Sequence, residues 1–268
     1  MASTARSDLP VRAATGLVAI LVAVAALWFG GVAFWTLVTV LALAMAGEWA
    51  GLMHLPRKAV IGAALALAGP LLVAAPFWAG PGLAALVALG VAAVVLAGFS
   101  RSPRLGAGIL YAGLPALSLL FLRAQTFGWG PELGLMITFA TLVTVWLTDI
   151  GAYFAGRTIG GPKLAPRISP NKTWAGLLGG MAAAGGFYFV LLITNDSSFL
   201  ESLLGFATGA GLAVLAQAGD LFESWLKRRA GVKDSGHFLP GHGGAMDRLD
   251  GVVPVACAVA LAMLMVTR

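Results

Sequence analysis

An all-α polytopic integral membrane protein is what this sequence predicts, and three features predict it. Hydrophobic residues make up 59% of its 268 residues and charged residues only 10%, where a soluble domain carries roughly a quarter charged. The mean hydropathy is +0.92. Apolar runs that reach or approach the ~20 residues needed to cross a hydrocarbon core follow one another along the chain. A single membrane domain, 1–268, is expected at this length.

Nine such runs are expected to span, at about 11–29, 32–53, 60–78, 82–99, 106–122, 133–153, 174–194, 201–219 and 251–267. The first is long for a signal-peptide core and passes almost directly into the second, so it is expected to be retained. Turn chemistry or charge marks the breaks: Gly30-Gly31, Pro56-Arg57-Lys58, Gly80-Pro81, Arg101 to Arg104, and Gly128 to Pro131. The abundant glycine (36 residues) suits spans whose backbones approach closely. Cys257 is the sole cysteine, so no intrachain disulfide and no oxidising compartment are implied.

Charge orients these spans. With the amino terminus inside, all of the 17 Lys and Arg residues except Arg123 and Arg268 fall on the inner side. That is the asymmetry of the positive-inside rule. It also removes nucleic acid as a reading of the net charge of +6, because the basic residues occupy short loops rather than a surface stripe.

Two inner segments are long and polar, about 154–173 and 220–250, and both open on the same face. They divide the chain into amino-terminal spans without a motif, 11–132, and a part expected to be catalytic, 133–268. In the second segment, Asp220, Glu223, Ser224 and Lys227 share one face if the eighth helix continues past Asp220. Asp247 and Asp250 share another if the ninth begins near Asp247. Carboxylates converging from two helices suit a hard cation such as Mg²⁺, which binds one or two of them plus substrate phosphates. Lys227, Arg228, Lys233 and Arg248 can neutralise the remaining phosphate charge. For Arg229 a juxtamembrane basic flank is an equal reading, and for His237 a solvated loop position is the better one. The turn from Pro240 to Gly244 is expected to bring backbone N–H groups close to an anion, with His242 hydrogen-bonding a phosphate or the nucleotide.

In the first segment, Asp149 lies near the end of an apolar span, where burial without a partner is expensive, so a metal or a base such as Lys172 is expected nearby. Ser169 to Thr173 reads as a capped helix entry. Alone, a plain cap with a topology lysine is its better reading, but opposite the 220–250 segment its free N–H groups and lysine suit a phosphate site.

The residues Ser224-x-Leu226-Lys227-Arg228, Lys233-Asp234-x-Gly236 and Leu239-Pro240-x-His242-Gly243-Gly244-x-x-Asp247-Arg248-Leu249-Asp250 resemble the signature of the phosphatidate cytidylyltransferases, or CDP-diacylglycerol synthases. Asp149-x-x-Ala152-Tyr153-x-x-Gly156-Arg157 and Ile168-Ser169-Pro170-Asn171-Lys172-Thr173 are similar to a second element of that family. One departure is Ala245, where a larger aliphatic residue is usual. The likeness covers about residues 145–265, and the first five spans carry no assignable motif.

The resemblance implies transfer of a cytidylyl group from CTP to phosphatidate, giving CDP-diacylglycerol and pyrophosphate for phospholipid biosynthesis. It implies Mg²⁺, with room for a second cation, at Asp220 and Asp247 assisted by Asp149 or Asp250. Asp220, Asp247, Lys227, Arg248 and Lys172 are the expected catalytic residues. Ser169, Asn171, Ser224, Arg228, Lys233, His242, Gly243 and Gly244 are the expected substrate-binding residues. Expected partners are CTP and phosphatidate in the bilayer, without nucleic acid, and small-residue spans permit a homodimer. The expected location is the inner (cytoplasmic) cell membrane.

Three other classes weigh against this reading. A CTP-dependent polyprenol or phytol kinase shares the multispan layout, but the His-Gly-Gly-x-x-Asp-Arg-x-Asp run favours cytidylyl transfer. A CDP-alcohol phosphotransferase needs an Asp-Gly-x-x-Ala-Arg element, and Val252 to Pro254 follow Asp250-Gly251 instead. An ion-coupled transporter keeps its charges near the midplane and often shows repeats, whereas here they gather at one face.

Overall fold

The computed structural model describes residues 4–126, 130, 132–236, 238 and 243–266, with side chains from Thr15 onward. Its helices are α1 (Thr4–Phe29), α2 (Gly31–Leu52), α3 (Arg57–Val73), α4 (Leu83–Ser100), α5 (Pro103–Arg123), α6 (Glu132–Thr158), α7 (Trp174–Ile193), α8 (Phe199–Arg229), α9 (Met246–Leu249) and α10 (Val252–Val266). A small antiparallel hairpin, β1 (Lys163–Ala165) and β2 (Ser169–Thr173), joins α6 to α7.

The chain is therefore all-helical apart from that hairpin, and six helices are long and apolar enough to cross a membrane: α2, α4, α5, α6, α7 and α8. The other apolar segments, Thr15–Phe29 in α1, α3 and α10, are shorter. At 15 residues, α10 measures only ~22 Å.

Several boundaries differ from the sequence expectation. The third run stops at Val73, and Ala74 to Gly80 form turns in place of its last helical turn. The two polar segments are shorter than expected, because helix consumes their beginnings. α6 runs on to Thr158, and α8 runs to Arg229 before ending at Gly231, whose φ is +72°. The residues Asp220 to Arg229 contain no Gly or Pro and are rich in helix formers, so nothing stops the helix earlier. Ser169 to Thr173 is a strand rather than a helix entry. Thr173 alone is the cap, its hydroxyl accepting from the Gly176 N–H at 3.0 Å.

Two packing units follow. α2, α3, α4 and α5 build one apolar core, into which Leu226, Ala245 and Met246 also insert. α6, α7 and α8 form the other, packed through glycine: a Cβ on Gly151 would lie 2.5 Å from the Gly179 carbonyl oxygen. Val145, Leu212, Ala216 and Val255 tie α10 to α6 and α8. Four buried threonines on α6 (Thr138, Thr141, Thr144 and Thr148) each donate to the carbonyl four residues earlier, and the Thr144 hydroxyl also meets the Tyr188 hydroxyl of α7 at 3.2 Å.

The ends of the helices sort to two sides. At one side the Arg123 Nε donates to the Leu27 carbonyl at 2.8 Å, closing the end of α1. At the other, the ends of α2, α6 and α8 and the start of α5 gather with the hairpin and α9. There the Trp49 indole N–H donates to the Arg104 carbonyl at 2.9 Å.

Candidate active site

α8 begins with a capping box, Ser198 with Glu201, and carries 31 residues, or ~46 Å of helix. That exceeds the ~30 Å hydrocarbon core, so its polar end projects at the boundary. Asp220 stands about where the core thickness, measured from Phe199, runs out. Asp149 stands near the matching end of α6, antiparallel to α7, and β2 delivers Lys172 between them.

These residues line one open cavity of about 620 Å³, with Asp149, Arg157, Asn171, Lys172, Gln217 and Asp220 among its walls. The Lys172 ammonium forms an ion pair with Asp220 Oδ2 and donates to Gln217 Oε1 at 2.7 Å. Ser224 Oγ donates to Asp220 Oδ1 at 3.2 Å. Asp149 faces the same space, within electrostatic reach of Asp220 and Lys172. Asp250, in the turn after α9, accepts from the Gly251 N–H at 2.7 Å. Burial, and then the negative charge of Asp220, push its carboxyl above the usual carboxylate range.

A second network sits one turn further along α8. Lys227 Nζ lies 2.6 Å from Asp247 Oδ1 and 3.0 Å from Glu223 Oε2. Asp247 Oδ2 accepts from the Ser235 N–H at 3.0 Å, the Ser235 hydroxyl at 3.0 Å and the Gly244 N–H at 2.8 Å. Burial works against the Asp247 charge, but the hydrogen bonds from Lys227, Gly244 and Ser235 outweigh it and hold the carboxyl at about 2. Glu223 is 1% exposed. Its Oε1 and the Tyr111 hydroxyl are buried without a hydrogen-bond partner among the described residues.

The expected residues thus fall into two sets. Lys172, Asp220, Asp149 and Asn171 meet at the cavity, Ser224 reaches it only through its bond to Asp220, and Asp250 lies within electrostatic reach of Asp220. Lys227 and Asp247 form their own pair, separate from the Lys172–Asp220 pair. Gly243 has φ +84°, and its missing Cβ leaves room for Asp247 Oδ2 at 2.9 Å. The Gly244 N–H, expected to meet a substrate anion, is directed to Asp247 instead. Arg228 makes a long 3.5 Å contact from Nε to the Ile168 carbonyl. Ser169 is paired with Ala165 in the hairpin register and does not line the cavity. Lys233 and Arg248 are exposed beside the second network. His242 and His237, with Leu239 to Gly241, lie outside the described residues.

Glu48, on α2, was missed. It accepts from the Ala245 N–H at 2.8 Å, the Met246 N–H at 2.8 Å and the Ser235 hydroxyl at 3.0 Å. The signal was present: Glu48 is the one acidic residue in the run 32–53, and an ionisable group in such a run is by default a functional candidate.

The donor chemistry fits a divalent cation that arrives with a polyphosphate. Asp149 and Asp220 offer carboxylate oxygens to one cavity, and Mg²⁺ takes its remaining ligands from phosphates and water. No group of three or more His, Cys, Asp or Glu side chains able to hold an ion alone occurs among the described residues.

Helices with apolar outer faces, and lysine–carboxylate networks gathered at their ends beside an open polar cavity, define an integral-membrane enzyme that handles phosphate groups at the bilayer boundary. The chain belongs to the cytidylyltransferase family, whose family model matches residues 10–266. It is 40% identical over 268 residues to the phosphatidate cytidylyltransferase of Brucella suis biovar 1 (strain 1330), covering 95% of this chain and 93% of that protein. It is likewise 40% identical over 234 residues to the phosphatidate cytidylyltransferase of Pseudomonas aeruginosa, covering 86% of this chain and 78% of that one. The likeness therefore extends through the amino-terminal spans, beyond the stretch 145–265 that the motifs mark.

Proposed function

We propose that this protein transfers the cytidylyl group of CTP to phosphatidate. A phosphatidate phosphate oxygen attacks the α-phosphorus of CTP, the bond to the β-phosphate oxygen breaks, and pyrophosphate leaves with CDP-diacylglycerol as product. The observation that carries the reading is the cavity holding Lys172, Asp149 and Asp220 at the bilayer boundary, in a chain whose relatives of near-equal length carry that name. The acyl chains can stay in lipid while the nucleotide arrives from water.

The attacking group is already an oxyanion, so the site needs position and positive charge more than a strong base. Lys172 holds the triphosphate over the cavity, with Asn171 and Ser224 as neutral contacts. Lys227, kept charged by Asp247 and Glu223, faces the phosphate that transfers or departs. Arg228, Lys233 and Arg248 supply the outer positive rim, and His242 serves as a hydrogen-bonding partner for a phosphate or the nucleotide. Mg²⁺, when bound at Asp220 with Asp149 and with Asp250 or Asp247 assisting, neutralises triphosphate charge. The proposed layout has nine crossings with a cytoplasmic amino terminus in the inner cell membrane, because that arrangement puts nearly all the basic residues on one side.

Purified protein supplied with CTP labelled at the α-phosphate, phosphatidate and Mg²⁺ should yield labelled CDP-diacylglycerol and one pyrophosphate per product. Release of CDP with no label in lipid would instead identify a CTP-dependent kinase. No lipid-dependent consumption of CTP overturns both.

A further inference from the structure

We propose that Glu48 is a positioning residue for the Asp247–Lys227 pair, so that the amino-terminal half of the chain completes the active site; this deepens the cytidylyl-transfer reading and rests on it. Among the described residues, every group that orients Asp247, apart from Lys227 itself, is either held by Glu48 or adjacent in sequence to a group that is. Asp247 Oδ2 is oriented by Ser235 and by the Gly244 N–H. Glu48 takes the other end of the same arrangement, the N–H groups of Ala245 and Met246 and the Ser235 hydroxyl. Three consecutive backbone donors, from Gly244, Ala245 and Met246, are thereby shared between two carboxylates. Ser235 Oγ stands 3.0 Å from both Glu48 Oε2 and Asp247 Oδ2. With one proton it donates to one carboxylate at a time, which ties the two together.

The surroundings leave Glu48 little freedom. Ala245 and Met246 are fully buried in the core of α2 to α5, so their N–H groups have no solvent to turn to. A Cβ on Gly244 would stand 2.5 Å from Glu48 Oε2, and one on Gly236 would have three atoms of Glu48 as its nearest neighbours, at 2.8 to 2.9 Å. Glycine at both positions is what lets the carboxylate in. The next residue, Trp49, is pinned to α5 through the Arg104 carbonyl, which holds this turn of α2 in place. Displacing Glu48 releases Ser235 and the 244–246 turn, and Asp247 then loses the geometry that sets Lys227.

The test compares Glu48→Gln and Gly236→Ala with wild type, folded in detergent. The amide in Glu48→Gln keeps the shape but turns an N–H group toward the Met246 N–H or the Ala245 N–H. A loss of about tenfold or more in kcat, with KM for phosphatidate little changed, is expected. Gly236→Ala should reproduce that defect, and the double variant should be no worse than the worse single, since both act through one displaced side chain. The second readout is hydrogen exchange of the 244–246 amides, expected to speed up in Glu48→Gln. Wild-type kcat in the folded variants overturns the proposal, as does a lowered melting temperature with unaltered kcat, or exchange that Glu48→Gln leaves unchanged. Wild-type turnover is read in the same assay, so failure of the cytidylyl-transfer reading shows there. The exchange measurement needs no substrate and still decides the role of Glu48.

Discussion

Asp247 takes four hydrogen bonds, from Lys227, the Ser235 N–H and hydroxyl, and the Gly244 N–H. Asp247→Asn keeps only one oxygen: if it serves Ser235 and Gly244, an N–H group faces the Lys227 ammonium, and if it faces Lys227 it does so uncharged, while the amide N–H group confronts the Ser235 and Gly244 N–H donors. It is expected to lower kcat by ~100-fold or more, since charge placed for the transferring phosphate is the main catalytic resource of such a site. The melting temperature should change far less than that loss suggests, and near wild-type turnover would remove Asp247 from the catalytic set. Lys172→Met makes a complementary prediction. It leaves Asp220 facing Asp149 without the intervening ammonium, so the apparent affinity for CTP should fall. Titrating CTP at saturating phosphatidate checks this, and an unaltered KM would place the triphosphate elsewhere. The pairing itself was only half legible. A base near Asp149 follows from the cost of burying a lone carboxylate, but that Lys172 would prefer Asp220 depends on which face of α8 meets β2.

At the α6–α7 contact the backbones approach so closely that side-chain volume decides stability. A Cβ on Gly179 would fall against Ala155 Cβ and lie 2.7 Å from the Gly151 carbonyl oxygen, whereas one on Gly211 would meet nothing within 4 Å. Gly179→Ala should therefore destabilise the protein by ~1–3 kcal/mol, while Gly211→Ala should be neutral or stabilise it by up to ~1 kcal/mol through helix propensity. Thermal unfolding in detergent distinguishes them, and equal melting temperatures would contradict the packing described. The cap of α7 gives a finer test. Thr173→Ala should cost ~1 kcal/mol and Thr173→Ser should restore most of it, read in the same melt. The elements were unequally legible from the residues. The break at Gly30-Gly31 and the glycine at 80 mark real turns, with φ of +63°, +47° and +74°. The hairpin 163–173 is not legible in the sequence because its strands, of three and five residues, are too short to show an alternating pattern.

For the whole molecule, the proposed sidedness predicts a labelling pattern. In a Cys257→Ser background, single cysteines replacing Lys58 and Lys163 should react with a membrane-impermeant thiol reagent only from the cytoplasmic side. Cysteines replacing Gly80 and Ser197 should react only from the opposite side. Labelling of residues 58 and 197 from one side would overturn the alternation of spans, and a full reversal would overturn the orientation. The apolar runs and the basic asymmetry that lead to this pattern are local properties of composition, set by what a hydrocarbon core admits, and so are open to a reader of the residues alone. The class of chemistry is open to the same reader through the spaced motifs of 149–173 and 224–250, which resemble those of the phosphatidate cytidylyltransferases. Which of those groups touch is another matter. Lys172 lies 48 residues from Asp220, and Glu48 lies 196 residues from Gly244, with no periodicity linking either pair. Whether α8 ends at Asp220 or Arg229, whether the Gly243-Gly244 turn offers its N–H groups to a ligand or to Asp247, and whether α2 takes part at all depend on how helices rotate and pack against one another. That is settled by glycine contacts and buried hydrogen bonds between distant segments, which only the folded chain brings into reach.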